Sequence, residues 1–377
     1  MDGPVERLLV NFFYAHPVGH AIEALHYANG YHAADPALEI SVALNAATPV
    51  ELASFCPFVS AAYAIQQPLL ERATPSLDHL PRDWTWVVDD ARRHQPIQLE
   101  MFPGLRDFYD ASDRHLNAER GRRPAGFPPP PYRPHQPLRL VLPGRARSAA
   151  HALLGKHDAA IAVMPAGSSD RELYPSLRSW TLILDALADA FPGIRIALLG
   201  KLTRDERSST SFGADELAAL LAHRSRPVDI FDVPLSEQLA VVEACGLFLS
   251  PHTGFGLAAL AVGTPWLTIS GGRWFEYYFN HVPFRSIIPD TERYPSFSQF
   301  APELSTEVMS ERRIAEDLDS IVAAAGELLS GTLGYEQALR DYFTELVAAH
   351  GGDASAIWSI DSVHAKYVAD ARPAAGG

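Results

Sequence analysis

The sequence predicts an α/β protein with two domains, each a doubly wound parallel sheet with helices between its strands. The chain has 377 residues, of which 47% are hydrophobic and 20% charged, and a single core rarely grows past about 250 residues. Short apolar runs of strand length alternate with longer runs of helical period along most of the chain, which is typical of βαβ units. Two such Rossmann-like halves are expected to face a cleft at the carboxyl ends of their strands, where ligands bind.

The N-terminal half, to about residue 155, opens as a βαβ unit. An apolar run at residues 8–14 predicts the first strand, the helical spacing at 21–28 predicts the next helix, and residues 38–44 predict a second strand. Residues 84–88 are a further buried-strand candidate.

Most of the basic charge is concentrated in one stretch of this half. Residues 92–147 contain 11 arginines, no lysine and five acids. Within it, the proline-rich segment at about 120–137 predicts an extended, semi-rigid connector, because proline is excluded from helix interiors and central strands. The arginines are interpreted either as solvated loop charges or as a groove for an anionic acceptor.

The C-terminal half, residues 156–335, alternates more clearly. Strands are predicted at 159–164, 194–199, 228–231, 247–250 and 266–270, and helices at 177–190, 235–245 and 256–262. Two later helices are predicted at 312–330 and 335–350. Residues 336–377 are interpreted as a C-terminal helix and loose tail that packs back across the domains.

The charge and the cysteines exclude several classes of protein. A formal net charge of -14 disfavours a broad nucleic-acid surface or a stable hold on anionic membrane. The first ten residues lack a basic segment before an apolar run, and no stretch reaches about 18 apolar residues, so a soluble, cytoplasmic protein is expected. Cys56 and Cys245 are the only cysteines and are predicted to be reduced core thiols. Nothing in the sequence indicates an oligomeric state.

The first candidate site is the loop at residues 15–20, after the first strand. His20 is predicted at a helix start, where the helix dipole favours a neutral imidazole that can act as a general base; the alternative is a histidine that caps the turn. His16 lies four residues earlier, but Pro17 and Gly19 disfavour a helical metal site there. The G-x-G-x-x-G fingerprint is absent, which disfavours a nicotinamide dehydrogenase.

The second candidate is the loop at 164–169, which follows the first strand of the C-terminal half. Its small residues, Gly167, Ser168 and Ser169, allow a close approach of the backbone to a ligand, and Arg171 would serve as a charged clamp on phosphate.

The third and strongest candidate follows the strand at 247–250. Ser250, His252, Thr253 and Gly254 lead from that strand into a helix of small residues, whose free amides would bind an anion. The alternative is a tight turn that requires glycine for its backbone geometry alone.

A fourth loop follows the last predicted strand. Gly272 opens this loop, Arg273 offers a positive charge, and Glu276 is a candidate for holding sugar hydroxyls or for a salt bridge. The aromatic residues around them are interpreted as core or as acceptor-pocket walls.

Taken together, these loops resemble the heptosyltransferase-like glycosyltransferases of family 9, which have the GT-B architecture. The family's proline-glycine-alanine-serine loop is followed by a basic residue and Trp-Pro, and then by an Asp-Thr-Gly step, an alanine-rich helix and Gly-Thr-Pro. The counterparts here are residues 164–169, Arg171, Tyr174, Pro175, 252–254, 257–261 and 263–265. The resemblance spans about residues 159–272. His252 stands where the family has Asp, Leu257 where it has a later His, and Gly19-His20 where it has Gly-Asp.

The resemblance implies a metal-independent transferase that uses a nucleotide-diphosphate sugar as co-substrate, needs no cofactor and acts on a small-molecule or glycan acceptor. The donor diphosphate would lie on the helix start at Gly254 and the loop at 167–169, with Arg171 or Arg273 neutralising charge. The N-terminal half, residues 1–155, would bind the acceptor. Other GT-B enzymes have a histidine base after strand one, which supports His20. The alternatives are a nucleotide-sugar 2-epimerase and a non-catalytic nucleotide- or sugar-binding protein.

Overall fold

The computed structural model describes residues 6–14, 18–120, 130–168, 171, 174–203, 209–269, 280–287, 309, 311–349 and 351–353. The chain divides at Val141 and Leu142 into two compact units. Each unit is built on a parallel sheet, so the predicted α/β class with two parallel sheets is confirmed.

Among the described residues, the sheet of the first unit has four parallel strands. They are β1 (Arg7–Asn11), β2 (Glu39–Asn45), β3 (Val59–Ile65) and β4 (Trp86–Asp89), in the order β3-β2-β1-β4. The central strands β1 and β2 are buried along nearly their whole length, which explains their unbroken apolar runs. The strand order reverses between β1 and β4, and ligands bind at such switch points.

Helix α1 (Val18–Ala34) follows β1, and α2 (Pro96–Met101) and α3 (Pro103–Arg120) follow β4. Short 3-10 helices cover Val50–Phe55 and Ala91–His94. Helices α2 and α3 lie in the arginine-rich stretch, where no helix was predicted. The buried residues of α3 form one stripe at helical spacing, which includes Leu105, Phe108, Tyr109, Ser112 and Leu116. The high content of charged side chains on its other face concealed this amphipathic pattern.

The described part of the connector, residues 130–137, packs along α1. The Tyr132 ring lies 4.8 Å from the Tyr31 ring, and the Arg133 amide donates to the Gly30 carbonyl at 3.1 Å. A Cβ atom on Gly30 would lie 2.3 Å from the Tyr132 ring. Glycine is therefore required at this position because the connector approaches the helix so closely.

His26, which is half-buried on α1, is expected to make stability depend on pH. Burial lowers the pKa of its imidazole to about 4. The charges of His135 and Arg139 lower this pKa further, whereas a hydrogen bond to the Gln136 backbone raises it. Between pH 6.5 and about 4 the unfolded chain binds the proton more readily, so stability should fall as the pH is lowered through this window. We expect His26→Gln to flatten this loss in thermal unfolding measured across the window.

A carboxyl group supplies the internal control for that prediction. Burial raises the pKa of Asp90 to about 6, so its protonation stabilises the folded protein as the pH falls through the same window. Asp90→Asn should therefore steepen the acid loss. Parallel curves for wild type and His26→Gln would show that His26 does not control the pH dependence.

In the part of the chain that the structure describes, the sheet of the second unit has six parallel strands. They are β5 (Ala160–Val163), β6 (Arg195–Leu198), β7 (Val228–Asp229), β8 (Leu247–Pro251), β9 (Trp266–Ile269) and β10 (Phe284–Ile287), in the order β10-β9-β8-β5-β6-β7. Counted from β5, this is the strand order of the Rossmann fold, with its switch point between β5 and β8. Five of these strands were predicted; β10 was not.

The helices of this unit are α4 (Gly144–Leu154), α5 (Leu177–Ala190), α6 (Ala214–Leu221), α7 (Leu235–Ala244), α8 (Gly254–Ala261), α9 (Glu311–Leu329) and α10 (Tyr335–Ala349). Helix α4 packs against α7, which places the start of the second unit before α4, whereas the sequence suggested a boundary near residue 155. Helix α9 packs against α5 and β10, and α10 packs against β10. Residues 354–377, interpreted from sequence as a loose tail, lie outside the described residues.

Two further expectations concern the thiols and the membrane. Cys56 and Cys245 are both buried, and neither is in a disulfide. Burial raises the pKa of each thiol to about 12. Within the described ranges, no helix has both the length and the hydropathy needed to span a bilayer.

Candidate functional site

Two of the predicted loops meet at the switch point of the second sheet. The loop after β5 begins at Met164, whose sulfur lies 3.9 Å from the Thr253 hydroxyl in the loop after β8. A Cβ atom on Gly167 would lie 3.3 Å from the Thr253 methyl and 2.8 Å from the Tyr174 hydroxyl. The fold thus brings Gly167 close to Thr253, although the two residues are 86 positions apart in the chain.

Helix α8 begins at this point. Thr253 occupies the N-cap position in an extended conformation, and its side chain makes no capping hydrogen bond. Seven of the eight residues of α8 are buried, so the helix start lies in apolar surroundings that strengthen its electrostatic field. Amides at a helix start carry a partial positive charge and favour a bound anion.

The loop after β5 is held in place by the protein on its carbonyl side. The carbonyls of residues 165–167 accept hydrogen bonds from the Trp180 indole, the Thr210 hydroxyl and the Ser211 amide, at 3.0, 3.1 and 2.8 Å. None of these three supporting residues was predicted from the sequence. Trp180 was visible only as part of an amphipathic helix, and residues 210 and 211 carry no local signal.

Arg171 is engaged with the protein. Its guanidinium donates to the carbonyls of Tyr174 and Pro175 at 3.2 and 2.9 Å and to the Glu216 carboxylate at 2.7 Å, and it lies 5.2 Å from the Phe212 ring centroid. A carboxylate therefore already compensates this charge. Any clamp on phosphate by Arg171 would share the guanidinium with Glu216.

Ser250 and His252 differ in their surroundings. Ser250 is fully buried, and its hydroxyl donates to the Pro251 carbonyl at 2.7 Å and accepts from the Trp266 indole at 3.0 Å. This hydroxyl thus serves the packing of β8 against β9. His252 is also buried, 5.9 Å from the Trp266 ring, and burial lowers its pKa to about 4. A neutral imidazole therefore occupies the position at which the family that this chain resembles has a carboxylate.

The remaining predicted donor contacts cannot be placed in the fold. Ser169, Gly272, Arg273 and Glu276 lie outside the described residues. Ser168 is exposed at the end of the described part of the loop after β5.

His20 lies at the switch point of the first sheet. Helix α1 begins at Val18, so His20 is in its first turn, as predicted. Its ring is half-buried and lies edge-on to the Tyr14 ring, with centroids 4.8 Å apart. Tyr14 follows β1 at the carboxyl edge of the sheet. The candidate metal partner His16 lies outside the described residues.

The structure adds three charged residues beside His20 that sequence analysis missed. Asp90 follows β4 and accepts a hydrogen bond from the Arg92 amide at 2.9 Å. The Arg92 guanidinium pairs with Asp90 at 3.2 Å and with Glu23 on α1 at 3.1 Å, and it lies 4.5 Å from the Tyr14 ring centroid. The interpretation of Arg92 as a solvated loop charge is therefore wrong, because β1 and β4 pair and bring their following loops together.

Two units, each a doubly wound parallel sheet with candidate residues at its switch point, have the GT-B class of fold. No family model matches the chain, and no curated protein matches its sequence. Among solved structures, the chain is similar to a glycosyl transferase family 9 protein from Veillonella parvula DSM 2008, with a TM-score of 0.55, 13% identity, and coverage of 84% of this chain and 97% of that one. It is also similar to the E. coli ADP-heptose lps heptosyltransferase II, with a TM-score of 0.51, 14% identity, and coverage of 85% and 99%. The predicted resemblance to family 9 is confirmed at the level of the fold.

Proposed function

We propose that this protein is a glycosyltransferase that moves a sugar from a nucleotide-diphosphate donor to a hydroxyl group of an acceptor. The observation that carries the proposal is the meeting of the two small-residue loops at Thr253, at the start of α8. The fold shared with the family 9 structures supports the same reaction class. One of those structures is named for ADP-heptose, which makes an adenine nucleotide the first donor to test.

The second unit would hold the donor. Its diphosphate would lie on the first amides of α8, against the loop after β5, with Arg171 or Arg273 adding positive charge. These peptide dipoles would stabilise the negative charge that develops as the nucleoside diphosphate departs. His252 directly precedes this helix start, and its neutral imidazole adds no negative charge beside the proposed diphosphate site.

The first unit would act on the acceptor. His20 would take the proton of the acceptor hydroxyl as its oxygen forms a bond to the anomeric carbon, while the bond from that carbon to the diphosphate oxygen breaks. The imidazole becomes charged, and the electron pair of the broken bond leaves with the nucleoside diphosphate. A histidine near the helix start can serve as such a base because the helix dipole favours its neutral form.

Donor binding is testable without knowing the acceptor. A ligand that binds only the folded state raises the midpoint of thermal unfolding with its concentration, and we expect at least one of ADP, UDP and GDP to do so. Thr253→Val removes the hydroxyl while keeping the side-chain shape and should reduce this shift. Thr344→Val is the matched control, since that exposed hydroxyl on α10 donates to the Arg340 carbonyl of its own helix at 2.8 Å.

The same assay tests metal independence. Because peptide dipoles would carry the diphosphate charge, the thermal shift and the release of nucleoside diphosphate from donor should persist in EDTA. Loss of both on chelation, with recovery on adding a divalent cation, would contradict the mechanism.

Two other outcomes would indicate the alternative functions. Formation of an epimerised sugar nucleotide without acceptor would indicate a 2-epimerase, and donor binding without any turnover would indicate a non-catalytic binding protein.

A further inference from the structure

A buried group of charges lies beside His20 and is not used in the mechanism above. Glu23, Asp90 and Arg92 form this group, which we call the Arg92 cluster. Arg92 is 7% exposed and Asp90 is 3% exposed, and the guanidinium contacts both carboxylates. Buried ion pairs often add little to stability compared with apolar packing, so their value here lies in fixing a geometry.

The cluster reaches His20 through Tyr14. The guanidinium carbon lies 4.5 Å from the Tyr14 ring centroid, and the His20 and Phe102 rings meet that ring edge-on at 4.8 and 5.5 Å. Tyr14 is buried, so a cation and two aromatic edges hold its ring in one position. A cation over an aromatic face is attracted most strongly where water is excluded.

The cluster also reaches His20 through the helix. Glu23 lies three residues after His20 in α1, so the two side chains share one side of the helix. The carboxylate receives two guanidinium hydrogen bonds from Arg92, at 3.3 and 3.1 Å. This bidentate pairing fixes orientation as well as distance. The segment after β4 therefore holds the first turns of α1 against the end of β1.

We infer that Arg92 is a positioning residue for His20, which holds the imidazole in one orientation through Tyr14 and through Glu23. The functional consequence rests on the proposed role of His20 as base, whereas the orientation itself is a property of the free protein. Lysine cannot replace this arginine, because it lacks the planar fork that pairs with Glu23 and stacks on Tyr14.

The orientation can be measured by NMR of the histidine ring protons, assigned by their loss in His20→Ala. Those of His20 lie in the ring current of Tyr14, which keeps its ring in Arg92→Lys, and we expect them to shift and broaden in that variant. Tyr14→Phe keeps the ring and should preserve the wild-type signals. Arg93→Lys is the matched control, because the neighbouring arginine pairs with Asp89 and Asp113 and lies over Tyr109 instead.

The kinetic readout separates positioning from binding. Arg92→Lys and Tyr14→Ala should lower kcat by about tenfold or more, a part of the 10²–10⁴-fold that a general base contributes, with the donor KM nearly unchanged. Tyr14→Phe and Arg93→Lys should retain wild-type kcat. Thermal unfolding identifies any variant that does not fold. If either Arg92→Lys or Tyr14→Ala does not fold, the kcat of the other variant tests the positioning role.

The outcomes distinguish the two proposals. If His20→Ala keeps wild-type turnover, the role of His20 as base fails, but the NMR signals still report whether Arg92 orients the ring. If those signals are the same in wild type and Arg92→Lys, the positioning role is overturned even where His20 is the base. A rise in donor KM without a fall in kcat would also overturn it.

Discussion

Replacement of His20 by alanine is expected to lower turnover by about 10²-fold or more, because a positioned general base contributes about 10²–10⁴-fold to rate. His20 lies in the first turn of α1 and is half-buried, and alanine is the best helix former, so the variant should fold. The donor KM should change little, since the candidate donor loops lie in the other unit. Release of nucleoside diphosphate from the sugar nucleotide measures both quantities.

His32→Ala is the matched control on the same helix. Its ring stacks on Phe58 with centroids 5.1 Å apart, so this variant loses a histidine and a ring contact without touching the switch point. We expect wild-type turnover. Equal turnover in wild type and His20→Ala would leave His20 as a cap of the first turn of α1, the alternative that the sequence left open.

The second large effect is expected from adding a single methyl group at Gly256. A Cβ atom there would lie 2.1 Å from the Trp266 ring, and that ring is fully buried with its indole bonded to Ser250. Overpacking of a core costs about 1–3 kcal/mol, and the rigid ring places Gly256→Ala at the upper end. The free energy of unfolding from denaturant titration should fall accordingly, although alanine favours a helix by about 1 kcal/mol.

The matched control for this prediction is Gly326→Ala in α9. A Cβ atom there would lie 3.6 Å from the Phe191 ring, an ordinary contact, so alanine should be neutral or stabilising by up to about 1 kcal/mol. Gly256→Ala should also weaken the shift produced by nucleoside diphosphate, because Trp266 supports Ser250 and His252 beside the start of α8. A Gly256→Ala protein as stable as Gly326→Ala would show that the Trp266 ring can move aside.

Five of the six described strands of the second sheet could be predicted from the sequence alone. Strands β5, β8 and β9 are buried along their whole length and are mostly apolar, and α5 was predicted with the bounds that the structure shows. Because the ends of parallel strands share one edge of the sheet, the motifs after β5 and β8 could be assigned to one site before any coordinates were known. These signals are local in the chain and strongly periodic.

Elements with weak or mixed patterns required the structure. β3 alternates half-buried and exposed residues at the edge of its sheet and contains small side chains, so its run is not apolar enough to be recognised in the sequence. Helix α3 hides its buried stripe among charged residues.

Only the tertiary structure decided which distant side chains meet. The β1 and β4 pairing brings the Arg92 cluster to Tyr14 and His20, although Arg92 lies 72 positions after His20 in the sequence. The burial that lowers the pKa of His252 depends likewise on Trp266 and on the packing of α8. A sequence records the type of each side chain and its local periodicity, whereas burial, charge compensation and orientation arise from contacts between segments that are far apart in the chain.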